Sequence, residues 1–311
     1  MYKDFFGLRE DPFRTNPDPR YLFQTPNIQE ALASLAYGIR NRCGIILMTG
    51  EVGTGKTTLL HALLDGLRRV GVATAFIFNT RLSVQAFFAW LMADFGIPGD
   101  CHTKEEAVAL LHDWLLDRFR ADQTAVLIVD EAQNLSIDVL EELRLLTNLQ
   151  TSTRKLLQIV LSGQPDLEEK LKRPEGRQLR QRITVRCRTR ALSSEETQGF
   201  ILKRLQVAGV NCQPIFSPEA ITSIYSYSQG IPRVINILCE HALIHAFADQ
   251  MRRVSAAHVA EVAREFEIGS VEWAGSPTRC EVQENPDDGD ASWMRAQREL
   301  LERAILGYSA E

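Results

Sequence analysis

The sequence predicts an α/β domain built on a parallel sheet, followed by a smaller domain made only of helices. Three observations predict this fold class. Short apolar runs alternate with helical patterns as far as Leu192, a glycine-rich loop joins the first apolar run to a long helical pattern, and only helical patterns follow Leu192. Alternation of this kind, with strands that are apolar almost throughout, is typical of a parallel sheet covered by helices on both faces.

The elements of the α/β domain can be placed along the chain from their periodicity. The predicted strands, which are rich in β-branched and other apolar residues, are 44–49, 72–78, 124–129, 156–161 and 183–187. The predicted helices of this domain are 27–42, 56–69, 83–95, 104–119 and 137–149. Thr103 and Glu106 have the spacing of a capping box at the start of the fourth helix.

The remaining segments differ from this domain in composition. Residues 1–26 are rich in proline and aromatic residues, so we expect an ordered strap packed on the core, which spans 27–192. The helical domain, 193–268, has helices predicted at 194–208, 218–228, 232–249 and 256–267, the first two with the N-terminal signals Ser193 with Glu196 and Ser217-Pro218. An acidic segment at 269–291 reads as a flexible linker, and 292–311 predicts one more amphipathic helix.

Composition excludes several classes of protein. The six cysteines are scattered without a C-x-x-C pair, which argues against a zinc site or a disulfide framework and favours a reducing compartment. A formal net charge of −5 favours neither nucleic acid nor membrane. No apolar run approaches the roughly 20 residues that span a bilayer, and the N-terminus lacks a signal-peptide pattern. We therefore expect a cytoplasmic protein.

The strongest motif is the glycine-rich loop between the first strand and its helix. It fills the G-x-x-x-x-G-K-[ST] template with Gly50, Glu51, Val52, Gly53, Thr54, Gly55, Lys56 and Thr57, and Thr58 follows. Glycines let successive backbone N–H groups turn inward and bind phosphate at the positive end of a helix. We expect Lys56 to reach the β and γ phosphates of ATP and Thr57 to bind Mg²⁺.

A pair of carboxylates follows the third predicted strand. Asp130 and Glu131 come directly after the apolar run 125–129, at the carboxyl end of the strand, where ligands bind in open α/β sheets. We expect Asp130 to hold the Mg²⁺ shell and Glu131 to polarise the water that attacks the γ-phosphate. Two acids at a strand end are common in isolation, but together with the phosphate loop they predict a P-loop NTPase.

Further motifs resemble those of one family, the ExeA/GspA-like AAA+ ATPases of bacterial secretion and pilus systems. They are Tyr2-x-x-Phe5-Phe6-Gly7-Leu8, Pro12-Phe13, Pro17-Asp18-Pro19 with Leu22, Asp130-Glu131-Ala132-Gln133-Asn134-Leu135, Ser162-Gly163-Gln164-Pro165-Asp166-Leu167, Leu179-Arg180-Gln181-Arg182-Ile183 and Gly230-Ile231-Pro232-Arg233. The resemblance runs from Met1 to about Phe266 and extends to MshM-like, exosortase-associated and TnsC/TniB-like ATPases. It implies an AAA+ core with a five-stranded parallel sheet and a helical lid.

The resemblance also implies roles for individual residues. Ser162 or Gln164, with Gln164 preferred, would be the sensor-1 group that bonds the attacking water or the γ-phosphate. Arg180 or Arg182 would be the arginine finger that completes the site of an adjacent subunit. Arg233 would be sensor 2 and touch the γ-phosphate, and the strap would frame the adenine. Any single arginine of the basic run 170–190 is as often a solvated surface residue as a functional one.

Three functional hypotheses follow. The first is an ATPase motor or switch that uses ATP and Mg²⁺ in a ring or filament of identical subunits and acts on an envelope-assembly protein, peripheral to the inner membrane through that partner. The second is an ATP-dependent regulator that binds duplex DNA, as TnsC-like proteins do, and its motivation is the basic run 170–190. The third is a scaffold that binds nucleotide without appreciable turnover, which Glu131 and the finger candidates disfavour. ExeA-like secretion proteins continue into a membrane-spanning helix and a peptidoglycan-binding domain, and this sequence shows neither.

Overall fold

The computed structural model describes residues 2–78, 81–99, 101, 103–210 and 214–269. Contacts within the described chain divide it into two compact units. A sheet unit contains residues 26–50 and 59–189, and a helical unit contains residues 2–25, 51–58 and 190–269. The predicted helix at 292–311, and the predicted linker apart from Gly269, lie outside the described residues.

Within the described residues, the sheet unit contains five parallel strands in the order β2-β3-β4-β1-β5. The strands are β1 (Ile45–Thr49), β2 (Ala73–Ile77), β3 (Ala125–Val129), β4 (Leu157–Gly163) and β5 (Ile183–Arg188). Every residue of the three central strands is buried, whereas both edge strands are partly exposed. This pattern is the one expected when helices cover both faces of a sheet.

The first helices of the sheet unit agree closely with the sequence predictions. They are α2 (Pro26–Arg40), α3 (Lys56–Arg69), α4 (Val84–Asp94), α5 (Lys104–Arg120) and α6 (Ile137–Leu146), of which α3 has its first turn in the helical unit. Two shorter helices follow, α7 (Pro165–Lys172) and α8 (Arg177–Arg180). The predicted capping box of α5 is present, because Thr103 Oγ1 accepts from Glu106 N at 3.2 Å and the Glu106 carboxylate accepts from Thr103 N at 3.3 Å.

Helices α7 and α8 were not predicted. Five of the eight residues of α7 are charged, and its apolar contacts come from two leucines one helical turn apart, Leu167 and Leu171. Such a short and polar segment has too few apolar positions to show a helical period. Its helix is stabilised instead by packing, since both leucines are buried in the core of the sheet unit.

The helical unit contains α9 (Ser194–Val207), α10 (Pro218–Ser228), α11 (Pro232–Ala248) and α12 (Ala256–Glu265), and its strap begins with α1 (Tyr2–Phe6). The predicted caps of α9 and α10 are present, with Ser193 and Ser217 accepting from backbone N–H groups of the first turn. The expectation that the strap packs on the sheet core was wrong. Leu8 and Phe13 are buried in the hydrophobic cluster of the helical unit, because these helices alone leave an apolar face that the strap covers.

A buried arginine fastens the strap to this unit. Arg204 on α9 donates from Nη1 to the carbonyl oxygen of Pro12 at 2.5 Å, and its guanidinium lies 4.8 Å from the centre of the Tyr21 ring. Burial lowers the pKa of Arg204 to about 10, so the side chain is charged at neutral pH. A buried cation held by carbonyls and an aromatic face ties the strap to α9 in one arrangement.

The turn before α11 depends on a glycine, which gives a stability prediction. Gly230 has a φ of +75°, and a Cβ there would lie 1.9 Å from the carbonyl oxygen of Leu192. We expect Gly230→Ala to lower the free energy of unfolding by about 3 kcal/mol or more, since left-handed strain and a backbone clash add together. The measurement is denaturant unfolding followed by circular dichroism.

Gly7 provides the matched control for this substitution. It has a φ of +71° in the same unit, and a Cβ there would meet nothing within 4 Å. Gly7→Ala should therefore cost about 1 kcal/mol, the strain alone. Equal losses in the two variants would contradict the steric argument.

Among the described residues, none of the helices combines the length and the apolar character that crossing a bilayer requires.

Candidate functional site

The carboxyl edge of the sheet brings together the ends of three neighbouring strands. β4 lies between β1 and β3, and all three are parallel, so their last residues meet at one edge. Gly50, which follows β1, donates from its backbone N to the carbonyl oxygen of Gly163 at 3.2 Å. The predicted phosphate loop thus leaves the sheet at the edge that carries the two acids after β3.

Asp130 is buried at this edge with a relative exposure of 3%. Its Oδ1 accepts a hydrogen bond from the Ser162 hydroxyl at 2.8 Å and from the backbone N of Glu131 at 3.0 Å. A buried carboxylate requires such donors, or a cation, to offset the loss of hydration. Ser162, one of the two sensor-1 candidates, therefore contacts the predicted magnesium ligand.

Glu131 has an unusual backbone conformation and a well-defined side chain. Its φ of 52° and ψ of 37° place it in the left-handed region, where a residue with a side chain is strained. Its Oε2 accepts hydrogen bonds from Gln133 Nε2 at 2.5 Å and from Gln164 Nε2 at 3.3 Å. Gln164, the preferred sensor-1 candidate, is thus in contact with the predicted catalytic acid, and strain of this kind is often found at functional sites.

The phosphate loop is a tight turn closed by its own side chains. Thr54 Oγ1 donates to the carbonyl oxygen of Glu51 at 2.8 Å, and Lys56 Nζ donates to the same oxygen at 2.9 Å. Gly53 and Gly55 have φ values of 81° and 93°, which side-chain-bearing residues rarely adopt. The loop therefore has the glycine-dependent backbone that a phosphate-binding nest needs.

The residues of the loop differ in exposure. Lys56 and Thr54 are buried, with relative exposures of 5% and 4%, whereas Glu51 and Val52 are exposed. Thr57 and Thr58 are half-buried in the first turn of α3, which begins at Lys56. A buried ammonium at the amino end of a helix requires acceptors, of which the carbonyl oxygen of Glu51 is one, and its positive charge suits an anionic ligand.

Arg233 lies at the start of α11, against the phosphate loop in the same unit. Its backbone N donates to the carbonyl oxygen of Gly53 at 3.2 Å. A Cβ at position 53 would lie 2.8 Å from the Cβ of Arg233 and 3.1 Å from Ile231 Cγ2, so only glycine allows this approach. The guanidinium itself is exposed, and its backbone contact places the predicted sensor-2 residue next to the loop.

The two predicted finger arginines have different surroundings. Arg182 donates from Nη1 to the hydroxyl of Thr147 and to the side-chain carbonyl of Asn148, both at 2.7 Å. Arg180, at the end of α8, is exposed, and among the described residues it makes no side-chain hydrogen bond or ion pair. The structure therefore distinguishes a tethered arginine from one whose guanidinium faces solvent.

The basic run 170–190 is only partly solvated. Lys170 donates to backbone carbonyls of the turn after β3, and Lys172 pairs with Glu169 at 2.5 Å. Arg188 forms a two-pronged ion pair with Glu168, with distances of 3.2 and 2.7 Å. These side chains, like that of Arg182, are engaged within the chain.

Glu168 links this run to the start of the phosphate loop. It accepts a hydrogen bond from Thr49 Oγ1 at 2.6 Å, one residue before Gly50. Burial raises the pKa of Glu168, but the Thr49 hydroxyl and Arg188 outweigh it and hold this pKa below its usual value. The carboxylate therefore stays ionised at neutral pH and fixes the end of β1.

Comparison with known proteins agrees with this fold. Residues 39–171 match the model of a family described as an AAA domain. The chain is 44% identical over 280 residues to general secretion pathway protein A of Aeromonas hydrophila. That alignment covers 89% of this chain and 50% of the relative, so the chain spans about half the length of the curated relative.

Solved structures of low sequence identity share the fold. Cdc6p from Pyrobaculum aerophilum has a TM-score of 0.64 at 18% identity, over 83% of this chain and 71% of that one. The ORC2 protein of Aeropyrum pernix, in ADPNP and ADP complexes, has a TM-score of 0.63 at 17% identity, over 82% and 71% of the two chains. Drosophila ORC bound to DNA has a TM-score of 0.65 at 20% identity, over 86% of this chain and 66% of that one. The chain therefore has the P-loop AAA fold and is a homologue of general secretion pathway protein A, as the resemblance in its sequence implied.

Proposed function

We propose that this protein binds and hydrolyses MgATP and acts as the motor or switch of a bacterial envelope-assembly system of the secretion type. The observation that carries the proposal is the carboxyl edge of the sheet. There the strand that leads into the phosphate loop and the strand that ends in Asp130 and Glu131 flank the same central strand.

Each residue has a role that follows from its chemistry. The backbone N–H groups from Gly50 to Thr58 bind the phosphates, and Lys56 neutralises charge on the β and γ groups. Glu131 accepts a proton from the attacking water, and Gln164 and Arg233 contact the γ-phosphate. Chemistry of this type depends on positioning and charge stabilisation, because the phosphoryl transition state needs little covalent help from the protein.

The residues present suit magnesium as the metal. The Thr57 hydroxyl and the Asp130 carboxylate are hard oxygen ligands, and Mg²⁺ is usually bound by few protein oxygens together with phosphate oxygens and water. Burial of Asp130 with two hydrogen-bond donors on one oxygen fixes the carboxylate for this purpose. Bound Mg²⁺ would offset the negative charge of the phosphates.

The envelope role rests on the named relative, a general secretion pathway protein. Because the chain spans half of that protein, the process served and the envelope partner remain proposals. The identity of 44% over 89% of the chain supports a shared ATPase part.

The site is completed by a second copy of the chain, with Arg180 as the finger. Its support is the exposure of Arg180 in contrast to the hydrogen bonds that hold Arg182. An arginine finger must reach across the interface to stabilise charge in the site of the next subunit. An exposed guanidinium that is not hydrogen-bonded within its own chain is suited to this role.

A mixing experiment tests this arrangement. Arg180→Ala keeps its own acid but gives no finger, and Glu131→Gln gives a finger but has no acid. Each variant alone should release phosphate at less than about 1% of the parent rate, and an equal mixture should recover up to about a quarter, because one interface in four then has both groups. Phosphate release is measured at steady state across protein concentration.

Arg177→Ala serves as the control, since Arg177 is another exposed arginine of α8. We expect it to keep parent activity. A mixture no more active than the average of its components would contradict a shared site. Activity that does not rise with protein concentration would contradict assembly.

A further inference from the structure

The side chain of Gln133 connects two parts of the candidate site. Its Nε2 donates to Glu131 Oε2 at 2.5 Å, and its Oε1 accepts from the backbone N of Gln164 at 3.1 Å. An amide is the side chain that offers a donor and an acceptor together. Both are used here, one on the predicted catalytic acid and one on the residue that follows β4.

Gln133 is itself held in place by its surroundings. Lys170 on α7 donates from Nζ to the carbonyl oxygen of Gln133 at 3.0 Å and also to that of Leu135. Burial lowers the pKa of Lys170, with a smaller effect of Arg173. The lysine thus binds the turn that carries Gln133 (Ala132–Asn134) to α7 by charge-assisted hydrogen bonds, which are among the stronger ones.

The space for this side chain is provided by a glycine. A Cβ at Gly163 would lie 2.8 Å from Gln133 Oε1 and 2.8 Å from Leu167 Cδ2. Cβ atoms are essentially never so close to other atoms. The Gly163 position at the end of β4 therefore leaves room for the Gln133 amide.

The carboxylate that Gln133 contacts needs a restraint. Glu131 has a left-handed backbone, and such strain persists only where surrounding contacts determine the conformation. Two amide donors, Gln133 Nε2 and Gln164 Nε2, meet on one oxygen of the carboxylate and so fix its plane. Misplacement of a catalytic group by about 1 Å costs on the order of 100-fold in rate.

We infer that Gln133 is a positioning residue that aims the Glu131 carboxylate and ties it to Gln164, so that the acid and the sensor-1 residue move together. The inference rests on the proposed function, in which Glu131 activates water. If Gln133 served only to stabilise the turn by its hydrogen bonds, its removal would lower stability without acting through Glu131.

A double-mutant cycle separates these two roles. Gln133→Leu removes both hydrogen bonds with little change in size. We expect its kcat for ATP to fall about 10- to 100-fold, with KM changed less than about threefold, because orientation and not binding is lost. In the Glu131→Gln background the same substitution should change the residual rate less than about twofold.

The control is Gln178→Leu, which replaces an exposed glutamine on α8 and should leave kcat unchanged. An equal loss from Gln133→Leu in both backgrounds, or a parent-like kcat, overturns the inference. If instead Glu131→Gln keeps the parent rate, the role that the proposed function gives to Glu131 fails, so the two failures are distinguishable.

Gln133→Glu keeps the test decisive if the leucine variant does not fold. Its carboxylate can still accept from Gln164 N, but it repels the carboxylate of Glu131. We expect a lower kcat and an acid limb of the pH–rate profile that moves to higher pH. A kcat and a pH–rate profile that both match those of the parent would overturn the inference.

Discussion

Lys56→Ala is expected to lower the affinity for MgATP at least about 100-fold, which corresponds to about 3 kcal/mol. The ammonium is buried at the start of α3 and bonded to the carbonyl oxygen of Glu51, so it already lies within the loop that would surround the phosphates. Charge-assisted hydrogen bonds contribute about 1.5–3 kcal/mol each, and two phosphate contacts are lost. Titration with a fluorescent ATP analogue measures the change.

Lys203→Ala is the matched control for this substitution. Lys203 is an exposed lysine on α9 in the helical unit, and its removal should leave the affinity unchanged. Nucleotide affinity that is equal in Lys56→Ala and the parent would remove the phosphate loop from the proposal, and with it the ATPase function.

Glu131→Gln is expected to bind MgATP with an affinity within about threefold of the parent while its hydrolysis rate falls about 10²- to 10⁴-fold. The amide has nearly the shape of the carboxylate but cannot take up the proton of the attacking water. Because the substitution slows the hydrolysis step and not ATP binding, the lower rate should appear in a single-turnover measurement at saturating ATP.

A second acid on the sheet unit provides a comparison. Glu175 lies exposed on the 3-10 turn before α8, and Glu175→Gln should hydrolyse ATP at the parent rate. A single-turnover rate in Glu131→Gln close to that of the parent would mean that another group activates the water.

The strands and most helices could be predicted because their signals are local. β1 and β3 are apolar throughout since they lie in the middle of a covered sheet, and the bounds predicted for them agree with the structure to within one residue. The predicted starts of α5 and α9 agree with the structure because a hydroxyl residue and a glutamate three residues later mark each of them.

The α7 segment could not be predicted by the same means. Three of its eight residues are acids and two are lysines, so the sequence shows no apolar period. What fixes the segment is contact with distant positions: Glu168 with Thr49 and Arg188, and Lys170 with the turn after β3. The sequence predicts the wrong unit for the strap for a similar reason. Its apolar residues show that it packs, but not on which surface.

The position of Asp130 and Glu131 at the sheet edge could be predicted from the apolar strand that precedes them. The conformation and contacts of these two residues could not. A left-handed backbone at Glu131 has no sequence signature, because residues other than glycine seldom adopt it. Gln133 was present in the motif that carries the resemblance, yet its contact with Glu131 depends on a turn that only coordinates reveal.

The helical unit is assembled from distant parts of the chain, and this has a consequence for biosynthesis. Residues 2–25 are synthesised before the rest of the helical unit, and Arg204, which holds Pro12, is made nearly two hundred residues later. At about 5–20 residues per second the interval is roughly ten to forty seconds. During that time Leu8 and Phe13 lack the apolar surface that buries them in the finished protein, so the nascent strap keeps its apolar side chains exposed to water until α9 has been made.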